Sequence, residues 1–265
     1  MSRSDIWPHD AGSIPAAPYR LNIKERMMRE EKPGRKSQDH IKYYNKEGTL
    51  VPGCSTITGL LDKSGPLIWW AWKLGKQNVK PNEYRDQLAD AGTLAHYLVL
   101  CELTDTEPDA EYLAEFSGVD RERADNALIS FYNWLKMHKI EPILNEQSLV
   151  SEKWQFGGTL DVYGKVDGLL TLLDLKTGKA IYDSHYTQTA GYYKLLAENG
   201  YKVDSAVDPN TGERGKQVFI LRIGRTEEEG FEYKRVPGLK WHLKRFKNLR
   251  DQYEINHQLK KARAA

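Results

Sequence analysis

The stretch that decides the fold is GTLDVYGKVDGLLTLLDLKTGK, residues 158–179. At its centre, Asp167–Gly168 is a dipeptide preferred in a two-residue type I′ turn, whose two central residues both need a positive φ. A hairpin turning there has a fixed register. Val166 faces Leu169, Lys165 faces Leu170, and counting outward sets Asp161 opposite Asp174. Side chains alternate along a strand, so Lys176 projects from the same face as Asp174 while Leu173 and Leu175 point the other way, into a core. Two carboxylates and an ammonium converge. Opposed like charges destabilise a sheet and Asp is a poor strand former, so the pattern calls for a compensating cation.

Upstream of the hairpin, SLVSEKWQF (148–156) reads as one further strand. Downstream, a helix from about Ser184 to Glu198 stops at Asn199–Gly200, followed by strands at 217–223 and 231–236 and a long basic helix at 238–262. In the N-terminal half, HIKYYNKEGTLVPG (40–53) reads as a small hairpin turning at Lys46–Gly48, and Ser55 or Thr56 is expected to cap a short helix. Segments 66–78, 82–102 and 121–139 carry apolar residues at helical spacing, which makes residues 55–140 mainly α. The expected class is α/β, a small mixed sheet flanked by helices with a mainly α N-terminal half. An N-terminal arm over 1–38 precedes a single domain over 39–265, with the catalytic sheet and helix at 146–200 and the last strands and basic helix at 216–263.

Composition excludes several classes. No apolar run approaches the length of a membrane span and the N-terminus has no apolar signal core, so a cytoplasmic protein without membrane association is expected. The two cysteines, Cys54 and Cys101, supply neither a disulfide framework nor a cysteine-held zinc or iron–sulfur cluster. No phosphate-binding G-x-x-x-x-G-K-[ST] loop occurs, so ATP is not expected. A net charge of +2 gives no global argument for nucleic acid. The case rests on local chemistry. Oxygen ligands on a rigid hairpin suit Mg²⁺ or Mn²⁺, which polarise a phosphoryl oxygen and activate water, and Lys176 offers charge to the transition state. Phosphodiester hydrolysis fits that arrangement.

On these residues the sequence resembles the PD-(D/E)xK nuclease superfamily, in its RecB-like and Cas4-like exonuclease branch. Four elements occur in the branch's order: Gly92-Thr-Leu-Ala-His96, Gly158-Thr-Leu-Asp161, Asp174-Leu-Lys176-Thr177-Gly178 and Gln188-Thr-Ala-Gly-Tyr192. The resemblance covers about residues 50–200 and implies a restriction-endonuclease-like core. It also implies metal ligation by His96, Asp161, Asp174 and the Leu175 backbone carbonyl, catalysis by Asp161, Asp174 and Lys176, and nucleic-acid contact by Gln188 and Tyr192. The absence of four cysteines places the chain with the cluster-free members.

Each signal has a plainer reading. Asp174 and Lys176 alone make a salt bridge, His96 alone a helix histidine, and Gln188 and Tyr192 helix packing. Glu152 is an outer candidate for the metal. Three tryptophans in four residues, Trp69, Trp70 and Trp72, cannot share one helical face, and core packing is expected to claim most of them. The C-terminal basic run from Lys240 to Arg263 suits a phosphate backbone or a solvated face. The expected function is a Mg²⁺- or Mn²⁺-dependent exonuclease on single-stranded DNA or duplex ends, acting in replication, repair or phage recombination, with a recombination or replication protein as partner. The alternatives are a structure-specific or restriction-type endonuclease and a non-catalytic nucleic-acid-binding or assembly subunit.

Overall fold

A computed structural model describes residues 41–61, 64–208 and 212–264; the arm expected over 1–38 and His40 lie outside the described residues. The chain opens with β1 (Tyr43–Tyr44) and β2 (Leu50–Val51), paired antiparallel about a turn in which Gly48 has φ 76°. Helix α1 (Cys54–Thr58) starts from Gly53 without a side-chain cap, so Ser55 and Thr56 sit inside the first turn rather than capping it. Next come α2 (Ser64–Lys76), α3 (Pro81–Thr104), α4 (Ala110–Ala114) and α5 (Gly118–Leu135). Pro81 pre-sets the first turn of α3, and the side chains of Asp109 and Ser117 accept the free amides that begin α4 and α5.

The second half carries β3 (Ile140–Ser151), β4 (Phe156–Val166), β5 (Leu169–Lys176), α6 (Asp183–Glu198), β6 (Ser205–Val207), β7 (Arg214–Lys216), β8 (Val218–Ile223), β9 (Phe231–Arg235) and α7 (Leu239–Ala264). The main sheet has the order β3-β4-β5-β8-β9. It is mixed: β5 and β8 run parallel, joined by the α6 crossover, and the other neighbours are antiparallel. The small β6–β7 hairpin, which the sequence reading did not foresee, lies within the α6–β8 connection. No helix among the described residues is long and apolar enough to cross a membrane.

The central hairpin has the expected turn, with Asp167 at φ 51° and Gly168 at φ 82°. Its ladder runs from Val166–Leu169 to Val162–Leu173, one pair short of Asp161 and Asp174. The strand expected over 148–156 is interrupted. Residues 152–155 form a turn with Gln155 at φ 52°, and the ladder resumes at Ser151–Phe156. Three bonds brace this turn: Lys46 N–H to the Glu152 carboxylate (3.0 Å), Asn45 Nδ2 to Gln155 Oε1 (2.8 Å) and Arg250 Nε to the Gln155 carbonyl (2.9 Å). Outward from it, Gln147 faces Leu160 and Asn145 faces Val162, so Glu146 lies across from Asp161.

Both faces of the sheet are covered. Leu172, Val218 and Ile220 pack with Leu195, Leu196 and Phe246 of α6 and α7. Neighbouring side chains on a strand point to opposite faces. Phe219 accordingly turns the other way, stacking on Tyr233, which meets Trp134 of α5. Within the β3–β4 pair, Gly164 lies where the register shifts between Pro142 and Leu144, and a Cβ there would sit 2.3 Å from the Glu141 carbonyl oxygen. Because the obstructing atoms are backbone, Gly164→Ala is expected to destabilise the fold by about 1–3 kcal/mol. Chemical denaturation measures this, and an unchanged midpoint would contradict the close approach of β3 and β4.

Candidate metal centre

Three elements bring side chains to one place. His96 comes from α3, Glu146 from β3 and Asp161 from β4, each offering a ligand atom within 4.8 Å of the others. His96 Nδ1 lies 3.5 Å from Asp161 Oδ1. The other oxygen of Asp161 accepts the Leu175 amide at 2.6 Å, just beyond the point where the β4–β5 ladder stops. A side chain thus takes the place of a main-chain acceptor, and the strands part around it. Glu146 holds a left-handed backbone, φ 45°, in which a non-glycine residue is strained.

Asp174 is deployed differently. Fully buried on β5, it receives the Lys176 ammonium at 2.8 Å on Oδ1 and the Thr189 hydroxyl at 3.0 Å on Oδ2. It does not belong to the three-residue donor group. The expected ligand set is therefore brought together in part, with His96 and Asp161 joined by Glu146 while Asp174 pairs with the lysine. Glu152 is not near them: it sits at the β3–β4 turn, five strand residues or about 16 Å from the level of Asp161. Its carboxylate braces the β1–β2 hairpin instead.

Close packing accounts for three of the four motif glycines, Gly92, Gly158 and Gly191, but not for Gly178. A Cβ on Gly92 would lie 2.8 Å from Thr177 Oγ1, so a side chain there would have to displace the Thr177 hydroxyl at the end of β5. On Gly158 it would meet Tyr192 Cε1 at 2.9 Å, and on Gly191 the Cys54 sulfur at 2.7 Å. The Tyr192 ring is buried in the α6 core and its hydroxyl accepts from Gln188 Nε2 at 2.8 Å. Gln188 is half-buried and the more exposed residue of that pair.

The electrostatics record a concentration of charge. Burial and the neighbouring Asp161 raise Glu146 to about 7, against the pull of His96 and Lys176. Burial raises Asp174 to about 6, although Lys176 opposes it. For Asp161, burial is outweighed by His96, Lys176 and the Leu175 amide, and its pKa falls. For His96 and Lys176, burial is outweighed by the carboxylates, and both pKa values rise. The lysine stays charged, and Glu146, Asp174 and His96 hold their protons to higher pH than free side chains would, whereas Asp161 gives up its proton more readily. Cys54 lies beneath, its thiol pushed well up by burial and by Asp174.

One imidazole and two carboxylates form a donor set that a divalent Mn²⁺ or Mg²⁺ fits, and a cation there would offset the repulsion between Glu146 and Asp161. No protein-family profile matches the sequence, and no curated protein matches it.

Glu146 provides a test without activity. With its pKa raised to about 7 in the fold, the stability its protonated form contributes is full below pH about 4.5 and lost as pH rises through 7. In metal-free protein, Glu146→Gln is expected to be neutral at pH 4.5 and stabilising at pH 8 by roughly 1 kcal/mol, after allowing for screening of its exposed side. Thermal melts at the two pH values measure the difference. Equal shifts at both would remove the charge conflict.

Proposed function

We propose that the chain is a divalent-metal-dependent nuclease of the PD-(D/E)xK type, with a restriction-endonuclease-like core, that hydrolyses DNA phosphodiester bonds at strand ends. The observation carrying this reading is the His96, Glu146 and Asp161 donor group beside the buried Asp174–Lys176 pair. His96, Glu146 and Asp161 would hold the cation. When bound, it supplies Lewis-acid polarisation of a phosphoryl oxygen and activation of water.

The chain's own groups do the rest. Lys176, kept protonated and fixed by Asp174, presents positive charge to the oxygens of the substrate phosphate. Asp174 acts on the reaction through that lysine, its own orientation set by Thr189. Gln188 offers an amide near the surface for orienting the nucleic acid. The buried, protonated thiol of Cys54 is not available as a nucleophile.

End-labelled single- and double-stranded DNA is expected to be degraded with Mg²⁺ or Mn²⁺ and left whole with chelator, and a closed circle to survive where a linear molecule does not. His96→Ala, Glu146→Ala and Asp161→Asn, which keeps an oxygen for the Leu175 amide, should weaken Mn²⁺ binding by about 10–100-fold along with the rate. Lys176→Ala should keep metal affinity while losing the chemical step. Wild-type metal affinity in Glu146→Ala would remove it from the ligand set, and cleavage in chelator would sink the reading.

A further inference from the structure

The tryptophans expected in the core are largely outside it. On α2, Leu67, Ile68, Trp69 and Trp72 are 54%, 69%, 55% and 48% exposed. Trp70 alone of the three indoles turns inward, tilting on Tyr84 of α3 at 6.3 Å and tying the helix to the body. Trp69 and Trp72 stack on each other outside, with ring centroids 4.6 Å apart and planes inclined by 20°. Together with Gly65 and Ile68 they line an open recess of about 440 Å³.

Charge is arranged on the same rings. The Lys76 ammonium lies 4.0 Å from the Trp72 centroid and that of Lys73 5.2 Å from the Trp69 centroid. No Asp or Glu occurs between residues 64 and 82, and neither lysine has a carboxylate partner among the described residues. Flat aromatic surface beside unneutralised cations asks for a partner that is both planar and anionic.

We propose that Trp69 and Trp72 form a stacking platform for unpaired bases of a single-stranded nucleic acid, with Lys73 and Lys76 meeting the phosphates on either side. The inference rests on the nuclease reading and names how its substrate strand is gripped away from the metal centre. Every base offers a π face, so the grip is indifferent to sequence. A lysine ammonium is a compact charge on a flexible stem, free to leave an indole for a phosphate when a base takes its place. A second protein would have to bring acids to both lysines, and a bilayer interface, which indoles and lysines also suit, is separated by the vesicle arm of the test. His96 lies roughly 18 Å further along α3 than Tyr84, so the platform is a separate contact and its loss leaves the metal ligands untouched.

The test uses the full chain in EDTA, so that binding is read without cleavage, with a fluorescein-labelled oligo-dT followed by anisotropy and by quenching of tryptophan fluorescence. Wild type is expected to bind, and Trp69→Ala/Trp72→Ala to weaken binding by at least about tenfold. Trp69→Phe/Trp72→Phe should retain most of the affinity. Lys73→Gln/Lys76→Gln should lower the slope of log K against log salt by about 1.4, as expected for two contacts to a single strand.

Wild-type affinity in the double alanine variant overturns the platform while leaving the nuclease reading standing, provided metal-dependent cleavage is seen. Failure of wild type both to bind oligo-dT and to cleave overturns both. Loss of self-association, or of binding to phosphatidylserine vesicles, in the alanine variant without change in oligo-dT affinity assigns the face to a second copy or a lipid surface and overturns the proposal.

Discussion

The carboxylate of Asp161 holds the site open. One oxygen accepts the Leu175 amide where β4 and β5 part, and the other faces His96 on α3. Removing the carboxylate would strand a buried amide and free the imidazole together, so the role of Asp161 in structure and its role as a donor cannot be separated by simple truncation.

Around that carboxylate the chain accepts unfavourable terms. Glu146 sits in a strained backbone across from another acid, and Asp174 is fully buried. Buried charges are tolerated when paired and hydrogen-bonded, and Lys176 and Thr189 do this for Asp174. Glu146, by contrast, is exposed, and water as well as the charges of His96 and Lys176 moderates it. A sheet covered on both faces supplies the rigidity that keeps these groups together.

Much of this was legible because short-range rules fix it. Asp167–Gly168 set the central turn and its register, and Asn199–Gly200 ended α6 where expected. The same arithmetic, counted outward from residues 152–155, pairs 146 with 161 and finds the third donor. That turn was not recognised because Glu-Lys-Trp-Gln lacks glycine and proline, and tertiary bonds from Lys46, Asn45 and Arg250 shape it instead. Glu152, an outer candidate in the sequence, is a brace whose carboxylate accepts the Lys46 amide. The orientation of Trp69 and Trp72 departs from expectation for a related reason: apolar character suggests burial, but only the packing of α2 through Trp70 decides which side of the helix faces inward.

Arg250 links the far end of the chain to this geometry. Its side chain is buried, donating to the Gln155 carbonyl and to Glu254, while residues from Ile255 to Arg263 are exposed. The C-terminal helix thus has an inner segment that helps set the register of a turn 95 residues earlier in the chain and an outer segment free of that duty. For anyone building a fusion or attaching a dye, the boundary falls at Glu254. Beyond it the helix can carry cargo, whereas a break before Arg250 would release the turn and, through it, the alignment of Glu146 with Asp161.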